Sequence, residues 1–141
     1  MEGIDLTYVW RPAGQRLYRS FTWQTEAFAS QREVGSFDGN GITEDIKDIN
    51  SLGFYTFAEC QLTRRLFAGV RFDYSQFPTN DKDSEWAITP YMTFWQSEFT
   101  RLRLEYSHKE RNSVTTPVEE GDNSLTLQAT FSLGSHRPHP F

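Results

Sequence analysis

Apolar and polar residues alternate with a period of two in seven separate stretches of this chain, and helical spacing is hard to find in any of them. The clearest stretch runs from Leu66 to Ser75. Leu66, Ala68, Val70, Phe72 and Tyr74 share one side; Phe67, Gly69, Arg71, Asp73 and Ser75 share the other. Near the end of the chain Leu125, Leu127, Ala129, Phe131 and Leu133 oppose Ser124, Thr126, Gln128, Thr130 and Ser132. Leu102, Leu104 and Tyr106 likewise alternate with Arg101, Arg103, Glu105 and Ser107. Four noisier stretches complete the set. Ile4, Leu6, Tyr8 and Trp10 oppose Asp5, Thr7 and Arg11, with Val9 breaking the pattern. Phe21, Trp23, Thr25, Ala27 and Ala29 oppose Thr22, Gln24, Glu26 and Ser30. Leu52, Phe54, Thr56, Ala58, Cys60 and Leu62 oppose Tyr55, Phe57, Glu59 and Gln61. Trp86, Ile88, Met92 and Phe94 oppose Ala87, Thr89 and Thr93, with Pro90 inside predicting a local bulge or break in the ladder.

The connections carry a second signal. Those at 12–18, 63–65 and 95–99 are short, and those at 32–50, 77–85 and 109–123 are longer and polar. Short and long alternate strictly, which is the arrangement of an outer-membrane barrel with short periplasmic turns and long extracellular loops. The predicted fold is therefore all-β: an antiparallel up-and-down meander of about seven strands, part of a transmembrane β-barrel. With the last strand running toward the periplasm, the first strand does so too. A bacterial barrel has an even strand number and both termini periplasmic, so residues 1–141 read as one barrel segment, the C-terminal portion of a larger barrel.

Composition narrows the alternatives. Mean hydropathy is −0.63, which excludes the roughly 20-residue apolar run of a membrane helix but not strands that are apolar only at alternate positions. The net charge of −5, from 14 basic and 19 acidic residues, argues against a nucleic-acid partner. Aromatic residues reach 16%, as two interfacial girdles would require. The single cysteine, Cys60, forbids an intramolecular disulfide and reads as a small hydrophobe on the apolar side. Met1 to Leu6 has neither the basic nor the apolar region of a signal peptide.

The alternating tail from Thr126 to Leu133, followed by terminal Phe141, resembles the C-terminal strand of Gram-negative outer-membrane porins, with Gly134 to Pro140 interrupting the alternation. Gly3 to Pro12 with Leu17 to Phe21, and Phe94 to Phe99 leading into Arg101 to Leu104, also look like pieces of porin-like proteins. The resemblance implies a cell outer-membrane location and recognition of the C-terminal strand by the barrel-assembly machinery. It also implies contact with outer-membrane lipid and lipopolysaccharide, and passive transport of small solutes.

In lipid every backbone polar group must be paired within the protein, and a midplane Arg facing acyl chains costs about 2–4 kcal/mol. Leu66, Ala68, Val70, Phe72, Leu102, Leu104, Leu125, Leu127 and Leu133 are therefore expected to face lipid. Glu59, Gln61, Arg71, Asp73, Arg101, Arg103, Glu105 and Gln128 are expected to face the lumen as pore-lining candidates. Charges of both signs could set a transverse field and tune selectivity; the plainer reading is that any water-filled lumen needs such residues. Trp10, Tyr18, Phe21, Trp23, Phe94, Trp95 and Phe99 are expected near the periplasmic interface, and Phe72, Tyr74, Phe77, Trp86 and Tyr106 near the outer one.

His136 and His139 lack a third ligand at metal spacing. The acidic stretches 38–50 and 80–85 lack the ordered ligands of a calcium loop. No nucleophile elbow, phosphate loop or metalloprotease helix motif occurs. Neither a cofactor, a metal nor an enzymatic activity is expected. Two alternatives remain open: the barrel end of a TonB-dependent receptor, or a soluble up-and-down barrel whose Leu-rich side lines an apolar ligand pocket.

Overall fold

A computed structural model describes residues 2–14, 19–37, 43–77, 80–113 and 120–132. Seven strands follow in order: β1 (Glu2–Trp10), β2 (Phe21–Phe37), β3 (Thr43–Gln61), β4 (Leu66–Phe77), β5 (Asn80–Trp95), β6 (Thr100–Asn112) and β7 (Glu120–Phe131). Each pairs antiparallel with its sequence neighbour, giving one seven-stranded sheet in the order β1 to β7. The sheet is open, with β1 and β7 at its edges. The seven alternating stretches and their order agree with the sequence reading. Leu133, the segment 134–140 with His136 and His139, Phe141 and Tyr18 lie outside the described residues.

The strands are longer than the alternation suggested, and the long connections are the reason. Residues 32–37 continue β2 and residues 43–50 begin β3, paired from Arg32↔Ile49 to Phe37↔Thr43. Asn80 to Glu85 belong to β5, while Lys109 to Asn112 extend β6 and Glu120 to Asn123 begin β7. Much of the polar sequence read as loop is thus paired backbone. Polar residues on both sides erase the two-residue signal without preventing the ladder, because the ladder is made by the main chain. The expected alternation of short and long connections is not retained: counted between strand bounds, those at one end of the sheet have ten, four and four residues and those at the other five, two and seven. What distinguishes the ends is the pair of four-residue turns, β3–β4 and β5–β6, at one and the long paired extension of the β2–β3 hairpin at the other.

The tight turns are well specified. Between β3 and β4, Leu62 N–H and Thr63 N–H donate to the Leu66 carbonyl at 2.9 and 3.2 Å. Thr63 Oγ1 accepts from the Leu66 and Arg65 amides at 3.1 and 3.3 Å. Between β5 and β6, the Gln96 amide donates to the Thr100 carbonyl at 3.1 Å and Ser97 Oγ accepts from the Phe99 amide at 3.2 Å. Such turns fix the register of the strands they join.

Pro90 behaves in part as its chemistry requires. It keeps its place opposite Val70 of β4. Toward β6 the ladder skips Thr89 and Pro90 and resumes at Tyr91↔Glu105 in the register set by Ile88↔His108. The missing Pro N–H breaks the ladder locally, but no residue is inserted, so the break is not a bulge. Across the gap Thr89 Oγ1 donates to Ser107 Oγ at 3.0 Å.

Candidate functional site: the polar face of the sheet

Directly paired residues of an antiparallel sheet project from the same face, so the register assigns every strand position. One row runs Gln61–Phe67–Thr93–Arg103–Gln128, and the next runs Thr22–Glu59–Gly69–Tyr91–Glu105–Thr126. Beyond them lie Phe57–Arg71–Thr89 and Tyr55–Asp73–Ala87 on one side and Trp95–Arg101–Thr130 on the other. All eight candidates, Glu59, Gln61, Arg71, Asp73, Arg101, Arg103, Glu105 and Gln128, therefore share one face. Leu66, Ala68, Val70, Phe72, Leu102, Leu104, Leu125 and Leu127 share the other, together with Cys60.

The two faces differ in enclosure in the reverse of the usual sense. Tyr91 and Thr93, on the polar face, are 7% and 5% exposed. Val70, Ile88, Met92, Phe94 and Leu104, on the apolar face of interior strands, are 40–47% exposed. Among the described residues no second layer covers either face. The Arg103 guanidinium over the Tyr91 ring contributes to that enclosure.

A centre forms where β3 to β6 meet. Tyr91 reaches across β4, passing over Gly69, and its hydroxyl hydrogen-bonds with the Glu59 carboxylate. A Cβ on Gly69 would lie 2.5 Å from both Cζ and Oη of Tyr91, so only glycine leaves the path open. The Arg103 guanidinium lies 3.8 Å above the Tyr91 ring, within cation–π range. Arg103 Nε donates to Glu105 Oε2 at 2.7 Å. One arginine and two carboxylates are thus held around one aromatic ring.

A second network spans β1 to β4. Gln24 Nε2 donates to Asp5 Oδ2 at 3.2 Å and to Tyr55 Oη at 3.4 Å, and Tyr55 Oη donates to Glu26 Oε2 at 2.7 Å. Arg71 donates through Nε and Nη2 to Asp73 Oδ1 at 2.8 and 2.6 Å and lies 5.6 Å from the Tyr55 ring centre. The Arg71 side chain is 52% exposed. Arg71→Gln is accordingly expected to lower stability by no more than about 1 kcal/mol, read from a urea titration. Lys109 pairs with Glu85 at 3.2 Å, and Arg101 Nη2 donates to Thr130 Oγ1 at 3.4 Å while stacking 5.7 Å from the Trp95 ring centre.

Sequence reasoning missed Tyr91, Tyr55, Gln24 and Glu26 as parts of these networks. Alternation alone places Tyr91 on the polar side. That it lands beside a glycine follows from the register, which the turns determine. Trp95 was expected among the interfacial aromatics; it lies on the polar face against Arg101, because its odd position pairs with Arg101. Phe77 likewise packs beneath the Arg111 guanidinium, 4.3 Å from the ring centre.

On the apolar face, aromatic rings do gather toward the extended-hairpin end. Phe54 contacts Phe72 and Tyr74 at 5.8 and 5.7 Å between ring centres. Trp86 stacks on Phe72 at 6.3 Å and meets His108 edge-on at 5.5 Å. Polar atoms on this face are satisfied locally: Trp23 Nε1 donates to Thr56 Oγ1 at 2.9 Å, and Thr25 Oγ1 lies 2.7 Å from Thr56 Oγ1. Tyr106 Oη donates to Asn123 Oδ1 at 2.7 Å. Among the described residues no three His, Cys, Asp or Glu side chains converge on a metal position.

Comparison with known proteins adds no relative: no protein-family model, no curated protein and no solved structure matches the chain.

Proposed function

We propose that this chain forms part of the wall of an outer-membrane β-barrel of porin-like type, in its C-terminal portion, with its polar face lining a water-filled passage for small solutes. The observation that carries the reading is the inverted exposure of the two faces. Leu, Ile, Val, Met and Phe side chains stand outward on the open apolar face, while Tyr91 and Thr93 are buried on the other, beside the part-buried Arg103–Glu105 pair. Water would penalise that arrangement at about 25 cal/mol for each Å² of apolar surface left exposed. Acyl chains would not. The soluble-barrel alternative would enclose the Leu-rich face; the 40–47% exposure of Val70, Ile88, Met92, Phe94 and Leu104 favours the membrane reading.

Dimensions support the same reading. From Trp86 to Phe94 on β5 are eight residue steps, about 27 Å along a strand at ~3.4 Å per step. A barrel tilt of about 40° reduces this to about 21 Å of membrane depth, close to the ~25 Å apolar band of such barrels. Open edges at β1 and β7 would leave unpaired N–H and C=O groups in lipid, each costing several kcal/mol. In the proposed barrel other strands cover both edges. The strongly exposed β7, with Leu125 and Leu127 73% exposed, is the strand offered to the barrel-assembly machinery. The extended hairpins then reach the lipopolysaccharide side.

Transport follows from the charged face. Arg103, Glu105 and Glu59 around Tyr91 make a mixed-charge patch that a permeating solute would pass, so flux rather than chemistry is the expected activity. The test is a swelling assay on vesicles carrying the refolded whole barrel of which this chain is part. Insertion with permeability to small neutral sugars, and a shift toward cations in Arg103→Glu, are the expected results. A whole barrel that stays in the aqueous fraction without detergent would sink the proposal.

A further inference from the structure

At the tight-turn end an open groove of about 820 Å³ is lined by Gly14, Arg19, Leu62, Arg64, Arg65 and Phe94 together with Thr63. Its chemistry is divided. Three arginines from two different connections supply exposed cationic groups, and Leu62 and Phe94, 52% and 40% exposed, supply an apolar wall. No Asp or Glu is among these lining residues. The neighbouring groove, about 500 Å³, shares Arg64 and Arg65 but adds Glu98 and Ser97 and is less suited to an anion.

Arg65 is held in place through backbone and side chain. The Arg65 carbonyl accepts from the Trp95 amide at 2.8 Å, its amide donates to Thr63 Oγ1 at 3.3 Å, and Arg65 Nη1 donates to the Gln96 carbonyl at 3.1 Å. A guanidinium keeps further donors after one such bond, and its fork matches phosphate oxygens. Phe94 pairs with Leu66 and Leu102 and so belongs to the apolar face. The groove therefore stands where the apolar band gives way to a basic rim.

We infer that this groove holds an anionic phospholipid, its phosphate on Arg19, Arg64 and Arg65 and its first acyl carbons against Leu62 and Phe94. The inference rests on the membrane reading above, since the apolar wall is continuous with the face proposed to meet lipid. A free phosphate would use the arginines but leave Leu62 and Phe94 without a role. Charge complementarity selects an anionic headgroup over a zwitterionic one, as for basic residues beside an anionic leaflet.

The test uses the whole barrel that contains this chain, in vesicles of equal phosphatidylcholine and phosphatidylglycerol. Flotation reports insertion, and mass spectrometry of lipid retained after mild detergent extraction reports preference. The wild type is expected to float and to retain phosphatidylglycerol about fivefold over phosphatidylcholine, the order expected of one arginine–headgroup contact. The triple variant Arg19→Gln, Arg64→Gln, Arg65→Gln is expected to float equally and retain the two lipids alike. Enrichment that survives in the triple variant, or a floating wild type without enrichment, overturns the groove alone. Displacement of the lipid by millimolar inorganic phosphate overturns it in favour of a phosphate site. Failure of the wild type to float overturns the membrane reading and the groove together.

Discussion

Gly69→Val is expected to lower the stability of the folded sheet by about 2–3 kcal/mol, the upper range for overpacking. The added Cβ would meet Cζ and Oη of Tyr91 at 2.5 Å and the Ala58 carbonyl oxygen at 2.7 Å. The tyrosine can swing away, but the carbonyl belongs to the β3 backbone. Displacing Tyr91 removes its link to Glu59 and the ring on which Arg103 lies, so the polar face loses its centre as well. Urea titration of the refolded chain measures the cost. Adding Tyr91→Ser to Gly69→Val is expected to recover part of the loss, because only one of the two clashes is relieved. A Gly69→Val variant as stable as wild type would mean that Tyr91 does not cross β4 at this point. Gly53 presents the same kind of site, with the Phe28 ring standing where its side chain would be. Two glycines on one face, each covered by an aromatic from β2 or β5, compensate the packing that glycine otherwise denies a strand.

Leu104→Arg is expected to cost about 2–4 kcal/mol in a bilayer, the penalty of a cation at the lipid-facing midplane. Leu104 pairs with Met92 and Leu127, away from both ends of β6, and is 47% exposed. In water an exposed Leu→Arg change is close to neutral, so the size of the effect reports what surrounds the face. The control is Thr126→Arg, which pairs with Glu105 on the polar face and is expected to change stability by less than about 1 kcal/mol. Equal effects of the two substitutions would remove the distinction between the faces on which the proposed function stands.

The strands were legible where one face is apolar and the other polar. Val70 to Ser75 and Leu102 to Ser107 show why: each apolar residue is followed by a polar one, and the register carried that contrast intact across β3 to β7. Every candidate on the polar side landed on one face because alternation is a property of the backbone, independent of which strands are neighbours. Legibility failed at 32–37 and 80–85, where polar residues fall on both sides and ladder pairing proceeds regardless. The contacts within the face were also illegible. Tyr91 meets Gly69 and Glu59 only because two tight turns fix the registers of β3, β4 and β5, and a one-residue slip would send its side chain to the other face. Pro90 shows a mixed case: the lost donor was predictable, but the retained register follows from pairing on both sides of the gap.

The central claim is that the exposed apolar face meets lipid and the enclosed polar face meets water. It is tested most directly by single cysteines at 102–107 in a Cys60→Ser background, each carrying a nitroxide label, in vesicles holding the refolded whole barrel that contains this chain. Collision rates with oxygen, which concentrates in lipid, are compared with those of a water-soluble nickel chelate. The account predicts oxygen access at 102, 104 and 106 and nickel access at 103, 105 and 107, alternating residue by residue. Nickel access at the even positions, or the same access at all six, would contradict it.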